Sequence, residues 1–129
     1  MANDQVFFIG QKAFIEKDDQ VLVLKNPKGK LDFPGGKIQE DEKDFIESMR
    51  REVKEEAGLE IEVGDVFYTW HFSLPSEHKN AGKIVYLVGY KCRYNGGEVK
   101  LSDEHAHYEW VNREDYKKLD DNSPHFKAL

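Results

Sequence analysis

The sequence predicts a mixed α+β domain. About five apolar runs rich in β-branched and aromatic residues crowd the chain, and one strongly amphipathic helix interrupts them in the first half. The runs lie too close together for a helix to return between each pair, so regular βαβ winding is excluded. A weaker helical stretch near the end completes the pattern.

Val6 to Ile15 and Val21 to Leu24 flank the polar turn Glu16-Lys17-Asp18-Asp19-Gln20, the arrangement of a hairpin. Asn26-Pro27-Lys28-Gly29-Lys30 is a second turn, leading into Leu31-Asp32-Phe33. Pro34 pushes Phe33 towards an extended backbone, and Gly35-Gly36 lets the main chain approach a neighbour closely. From Asp44 to Ala57 the residues Phe45, Ile46, Met49, Val53 and Ala57 recur at helical spacing. Asp44 and Glu47 stand at capping-box spacing, and Gly58 supplies the left-handed stop.

After the helix, Glu60 to Phe72 reads as one bent strand or two, with Gly64-Asp65 as the break. Ser73 to Gly82 is a polar loop. Lys83 to Cys92 is apolar on both alternating sets, as in a strand covered on both faces. Asn95-Gly96-Gly97 is a turn, Glu98 to Leu101 a short strand or extended arm, Ser102 to His105 a loop and Tyr108 to Val111 a final strand. Arg113 to Leu119 has helix-forming residues, and Asp120 to Leu129 is a polar tail.

At 129 residues, the chain is expected to be a single domain, 1–129, with enough core to fold without disulfide or metal. The single Cys92 excludes an internal disulfide and suits a reduced, cytoplasmic setting. No apolar run approaches membrane-spanning length, and no secretory signal opens the sequence. A formal net charge of −6 argues against a general nucleic-acid or anionic-membrane binder. It does not exclude a small phosphate ligand, because a bound divalent cation reverses the local field.

The chemistry concentrates on the helix. At about 100° per residue, Glu52, Glu55 and Glu56 fall to one side, beside the apolar stripe, and are expected to be half-buried together. Like charges in that position repel, and Lys54 points away from them. A hard cation would relieve the conflict: Mg²⁺ takes oxygen ligands and is usually shared between a few carboxylates and substrate phosphates. Taken by itself, E-x-x-E-E on a helix also describes a solvated acidic face.

Context decides between these. Gly36, Glu42, Arg51, Glu52, Val53, Glu55, Glu56, Gly58 and Leu59 resemble the signature of the Nudix hydrolases, G-x5-E-x7-R-E-U-x-E-E-x-G-U, where U is a bulky aliphatic. One departure is visible: eight residues, not seven, separate Glu42 from Arg51, so Lys43 falls where the helix register would place the first glutamate.

The resemblance implies an α/β/α sandwich around a mixed sheet, and hydrolysis of a diphosphate bond in a nucleoside diphosphate derivative. It also implies Mg²⁺, with Mn²⁺ an alternative. Glu52 and Glu56 are then the principal metal ligands, the Gly35 carbonyl an auxiliary one, and Glu55 both a ligand and the best candidate for the base. Glu104 is the alternative base, supplied from a later loop. Arg51, within reach of Glu47 and Glu55, orients Glu55, and Gly36 and Glu42 are structural. Trp70, Phe72, Phe7 and Phe33 could stack on a nucleobase, with Phe33 and Trp70 taken as the substrate-binding candidates, although aromatic residues on strands are more often core. The five histidines show no ligand spacing and read as surface or core residues.

The short chain and the plain FPGGK sequence look most like compact enzymes acting on nucleoside triphosphates, including oxidised ones. Pro75, placed as in ADP-ribose pyrophosphatases, and a later segment similar to diadenosine polyphosphate hydrolases keep those two classes as alternatives. A Nudix-fold module that binds a nucleotide without cleaving it is the rival from another class. Such a module is expected to lose box carboxylates, which are all present here.

Overall fold

A computed structural model describes residues 3–103, 105 and 107–115. Its elements, in chain order, are β1 (Phe7–Lys17), β2 (Gln20–Lys25), β3 (Leu31–Asp32), β4 (Gly35–Lys37), α1 (Phe45–Ala57), β5 (Glu60–Ser73), β6 (Ile84–Gly96) and β7 (His107–Asn112). The described strands form one mixed sheet in the order β3-β2-β1-β6-β5, with β4 also paired to β1 and β7 to β2. Only β1 and β6 run parallel, with Lys12 opposite Gly89.

Local chemistry accounts for most of these elements. The first hairpin turns through Asp18 and Asp19, whose φ values of 49° and 62° give the two left-handed central residues that suit the twist of the flanking strands. Helix α1 starts where expected: the Asp44 side chain accepts from the Glu47 amide at 3.1 Å. The other half of the capping box does not form, because the Glu47 carboxylate pairs with Arg50 at 3.2 Å. Gly58, at φ 76°, closes the helix with its amide on the Lys54 carbonyl.

The apolar stripe of α1 is shorter than the sequence suggested. Met49, Val53 and Ala57 are fully buried, whereas Phe45 and Ile46 in the first turn remain exposed. Beneath the helix Ala13, Ile15, Leu22 and Leu24 form the helix-side core, while Phe14, Val21 and Val23, at alternate positions of the same two strands, gather with Leu31 and Phe33 into a second cluster. Each fully buried large side chain contributes about 1.5–3 kcal/mol of transfer free energy.

Strand β5 is a single strand whose register shifts between Val63 and Val66 and again before Tyr68, so Gly64-Asp65 is a bulge and not a break. A side chain at Gly64 would stand 2.7 Å from the Lys91 carbonyl. Strand β6 alternates between buried and half-buried positions and runs on to Gly96, so it is not equally covered on its two faces. Glu98 to Leu101 is an arm, with no strand of its own. The Lys100 amide donates to the Ala57 carbonyl at 2.8 Å and the Ser102 amide to the Glu56 carbonyl at 3.0 Å, which satisfies the orphan end of α1. Arg113 to Asp115 forms a turn, and the rest of the expected last helix lies outside the described residues. No described helix is long and apolar enough to cross a membrane.

Candidate active site

The glycine turn and the helix are built to meet. Strand β4 runs antiparallel to β1 with Gly35 opposite Lys12, and the Pro34 carbonyl accepts from the Ala13 amide at 2.8 Å. At Gly35, φ is 148°, and an added Cβ would lie 2.0 Å from the Gln11 carbonyl oxygen, so no side chain fits. Its amide donates to Oε2 of Glu56 at 2.8 Å. At Gly36 an added Cβ would lie 2.8 Å from Oε2 of Glu52. Gly35 thus lets the main chain close on β1 while its amide holds Glu56, and Gly36 leaves room for the Glu52 carboxylate one helical turn away.

Those carboxylates are perturbed. Burial pushes the Glu56 carboxyl up to about 7, against the opposing pull of the Gly35 amide, Lys12 and His105, while Asp32 adds to the rise. Glu52 is also raised, first by burial and then by Glu55 and Glu42, with Arg51 opposing.

Glu55 does not join them. Its side chain is 58% exposed and holds Arg51 through both oxygens at 3.1 Å. The reason is angular: Glu52 and Glu56 are separated by about 40° around the helix, whereas Glu55 lies about 100° from Glu56, on the side away from Val53. The expected half-buried trio is therefore a buried Glu56, a half-buried Glu52 and an exposed third carboxylate.

Arg51 links Glu55 to the preceding loop. It pairs with Glu42 at 2.8 Å and Glu52 at 3.1 Å as well as Glu55, and not with Glu47. The longer loop turns at Asp41, φ 71°, and this brings Glu42 to the arginine despite the extra residue. The other Glu42 oxygen accepts from the Gln39 amide at 2.7 Å. Hydrogen bonds from the Ser48 side chain, the Gln39 amide and Arg51 pull the Glu42 carboxyl down to about 2. Arg51 is raised in turn, chiefly by its hydrogen bonds to Glu42 and Glu55.

Glu52, Glu56 and Arg51 line a cleft of about 590 Å³, with Gly35, Gly36 and Lys37 along one side. Lys12, Asp32 and His105 add a polar group that the sequence did not single out. Lys12 Nζ stands 2.9 Å from Asp32 Oδ1, and His105 Nε2 3.3 Å from Asp32 Oδ2. His105, which read as an ordinary surface or core histidine, is 8% exposed and belongs to the site. Phe72, Val85 and Leu87 supply an apolar part of the wall. A larger groove of about 690 Å³ lies near the Asp18-Asp19 hairpin and contains none of the box carboxylates.

Of the four aromatic candidates, Phe72 lines the cleft, whereas Phe33 and Trp70 fall elsewhere. Phe33 is 2% exposed in the second core cluster, because Leu31-Asp32-Phe33 alternates and only Asp32 points to the cleft. Trp70 packs beside Leu74, Val85 and Leu87 with Tyr68 next to it, and does not line the cleft. Phe72, two residues along the same strand, does. Glu104 lies outside the described residues.

Among the described residues, no three Asp, Glu, His or Cys side chains stand close enough to form a metal cluster. Mg²⁺ does not need one, since it keeps several waters and is bound through one or two carboxylates plus substrate phosphates. Glu52 and Glu56, the carboxylates of the cleft beside the glycine turn, are hard oxygen donors of that kind.

A family model described as the NUDIX domain matches residues 10–129. The chain belongs to that family. Nucleoside triphosphatase NudI of Escherichia coli is 28% identical, with 89% of each chain covered. The CTP pyrophosphohydrolase of E. coli K12 is 27% identical, over 80% of this chain and 74% of that one. The crystal structure of a MutT protein from Methanosarcina mazei Go1 superposes with a TM-score of 0.78 at 29% identity, covering 98% of this chain and 91% of that one. The α+β fold and the enzyme class read from the residues, a NUDIX-type hydrolase of nucleotide pyrophosphate bonds, stand with this family.

Proposed function

We propose that this NUDIX chain hydrolyses a nucleoside triphosphate, oxidised forms included, to the monophosphate and pyrophosphate with the help of Mg²⁺. The observation that carries the reading is the pair Glu52 and Glu56 in one cleft, Glu56 held by the amide of Gly35, a position that admits no side chain, and Glu52 lying against Gly36. The names of relatives similar along most of their length, a nucleoside triphosphatase and a CTP pyrophosphohydrolase, point to the triphosphate class.

In this reading Glu52 and Glu56 hold the cation, with the Gly35 carbonyl auxiliary. The cation supplies neutralisation of the phosphate oxygens. Burial keeps the two carboxylates in a poorly solvated wall, where each interaction with charge is stronger than in water. Arg51 fixes Glu42 and Glu55 around them. Glu55, exposed beside Arg51, would serve as a further ligand and as the proton acceptor; Glu104 is the alternative acceptor. The apolar wall of Phe72, Val85 and Leu87 takes the nucleobase. The substrate partner is a small nucleotide and the working compartment the cytoplasm.

The test is product analysis of the purified protein with Mg²⁺ or Mn²⁺ across triphosphates, oxidised triphosphates, ADP-ribose and diadenosine polyphosphates, with Glu55→Gln in parallel. Triphosphate turnover that falls by roughly a hundredfold or more in the variant supports the reading. Turnover confined to another class, or none in protein that binds nucleotide, overturns it.

A further inference from the structure

Lys12 occupies an unusual place for a cation. It sits on β1, inside the sheet, between the buried Gln11 and Ala13, and its side chain is 14% exposed. A lysine there is tolerated only with partners. It has two on the same turn: Asp32 Oδ1 at 2.9 Å and the Phe33 carbonyl at 3.3 Å. The other Asp32 oxygen meets Nε2 of His105 at 3.3 Å, so that ring nitrogen carries the hydrogen. The second ring nitrogen of His105 is buried and has no hydrogen-bond partner among the described residues.

Asp32 therefore joins β1, the turn into β4 and His105. The same turn leads into Gly35, whose amide holds Glu56, and Ser102, whose carbonyl accepts from the His105 amide, donates its own amide to the Glu56 carbonyl. Every link converges on the placement of Glu56. Lys12 is already engaged by a carboxylate and a carbonyl, which makes it a staple for the turn and not a free cation awaiting phosphate.

We propose that Lys12 and His105 are positioning residues of the hydrolytic site, acting through their shared partner Asp32 to lock the Asp32–Gly35 turn against Glu56. The catalytic consequence rests on the hydrolase reading above; the structural consequence does not.

The test is a double-mutant cycle of Lys12→Met, Asp32→Asn and the pair, with Lys12→Arg as the conservative variant, read by steady-state kinetics and by hydrogen exchange of the Gly35 amide. Each single change is expected to lower kcat by about tenfold to a hundredfold while KM stays within about threefold, and the pair should be no worse than the poorer single. Lys12→Arg should recover most of kcat, and the Gly35 amide should exchange at least about tenfold faster in the damaged variants. Should Lys12→Met fail to fold, Asp32→Asn and His105→Gln report on the same network. A raised KM with kcat unchanged would assign Lys12 to substrate instead, and additive losses or an unchanged Gly35 amide would overturn the network. Wild-type protein that turns over no nucleotide sinks the hydrolase reading alone; Gly35 exchange then decides, faster exchange upholding the network and unchanged exchange overturning it.

Discussion

The amide of Gly35 donates to the carboxylate of Glu56 across 2.8 Å, joining a turn that admits no side chain to the helix that carries the acidic box. This contact ties the backbone geometry of β4 to the chemistry of the cleft. Gly35→Ala should therefore damage both. An added methyl 2.0 Å from the Gln11 carbonyl forces the strand apart, and a loss of about 3 kcal/mol in denaturant unfolding is expected, with turnover falling in parallel. A variant of wild-type stability would contradict the close approach.

Glu56 sets the pH dependence of the metal-free protein. Its folded carboxyl lies at about 7, above the ordinary 4.5, so between those values the folded state binds a proton that the unfolded state releases. Stability from this group is complete below pH 4.5 and declines as pH rises through 7, by about 2–3 kcal/mol. Glu56→Gln should flatten that slope and be more stable than wild type at pH 8 without metal. Equal slopes in urea titrations of the two proteins would refute this.

Glu42 behaves in the opposite sense. Its carboxyl is pulled down to about 2 by Ser48, Gln39 and Arg51, so its contribution is present above the ordinary 4.5 and is lost only as pH falls towards 2. Carboxyl NMR should show its titration midpoint near 2, moving up towards the ordinary value in Arg51→Met. A wild-type midpoint of 4.5 would mean that the longer loop leaves Glu42 unpaired.

Phe33 and Phe72 should separate stability from binding. Phe33→Ala opens the second core cluster and is expected to cost about 3–5 kcal/mol with little change in KM per folded molecule. Phe72→Ala removes part of the cleft wall and should raise KM by about tenfold or more, with a smaller effect on melting temperature. The reverse pattern would return Phe33 to the site.

Features set by neighbours along the chain were the legible ones. Asp44, the Met49-Val53-Ala57 stripe and Gly58 define α1 within one stretch, and the Gly35-Gly36 turn is equally local. The box carboxylates were legible as residues, but their division into a buried Glu56, a half-buried Glu52 and an exposed Glu55 depends on where the helix rests on β4. The parallel pairing of β1 with β6 joins residues far apart in sequence and leaves no local trace. Lys12, Asp32 and His105 meet for the same reason, His105 and Asp32 being 73 residues apart. Lys12 carried one faint signal, a charge in the middle of a strand whose flanking runs, Phe7 to Ile9 and Ala13 to Ile15, are apolar. Phe33 and Trp70 show the converse: aromatic character marks burial first, and only the backbone decides which aromatic faces the cleft.

The most direct test of the account is the Mg²⁺-dependent release of pyrophosphate from nucleoside triphosphates by wild-type protein, Glu52→Gln and Glu56→Gln, followed by ³¹P NMR. Pyrophosphate is expected as the product of the wild type, with a loss of roughly a hundredfold or more in each variant. Pyrophosphate release that survives in both variants, or its absence from folded wild type supplied with Mg²⁺, would contradict the assignment of the Glu52 and Glu56 pair as the hydrolytic centre.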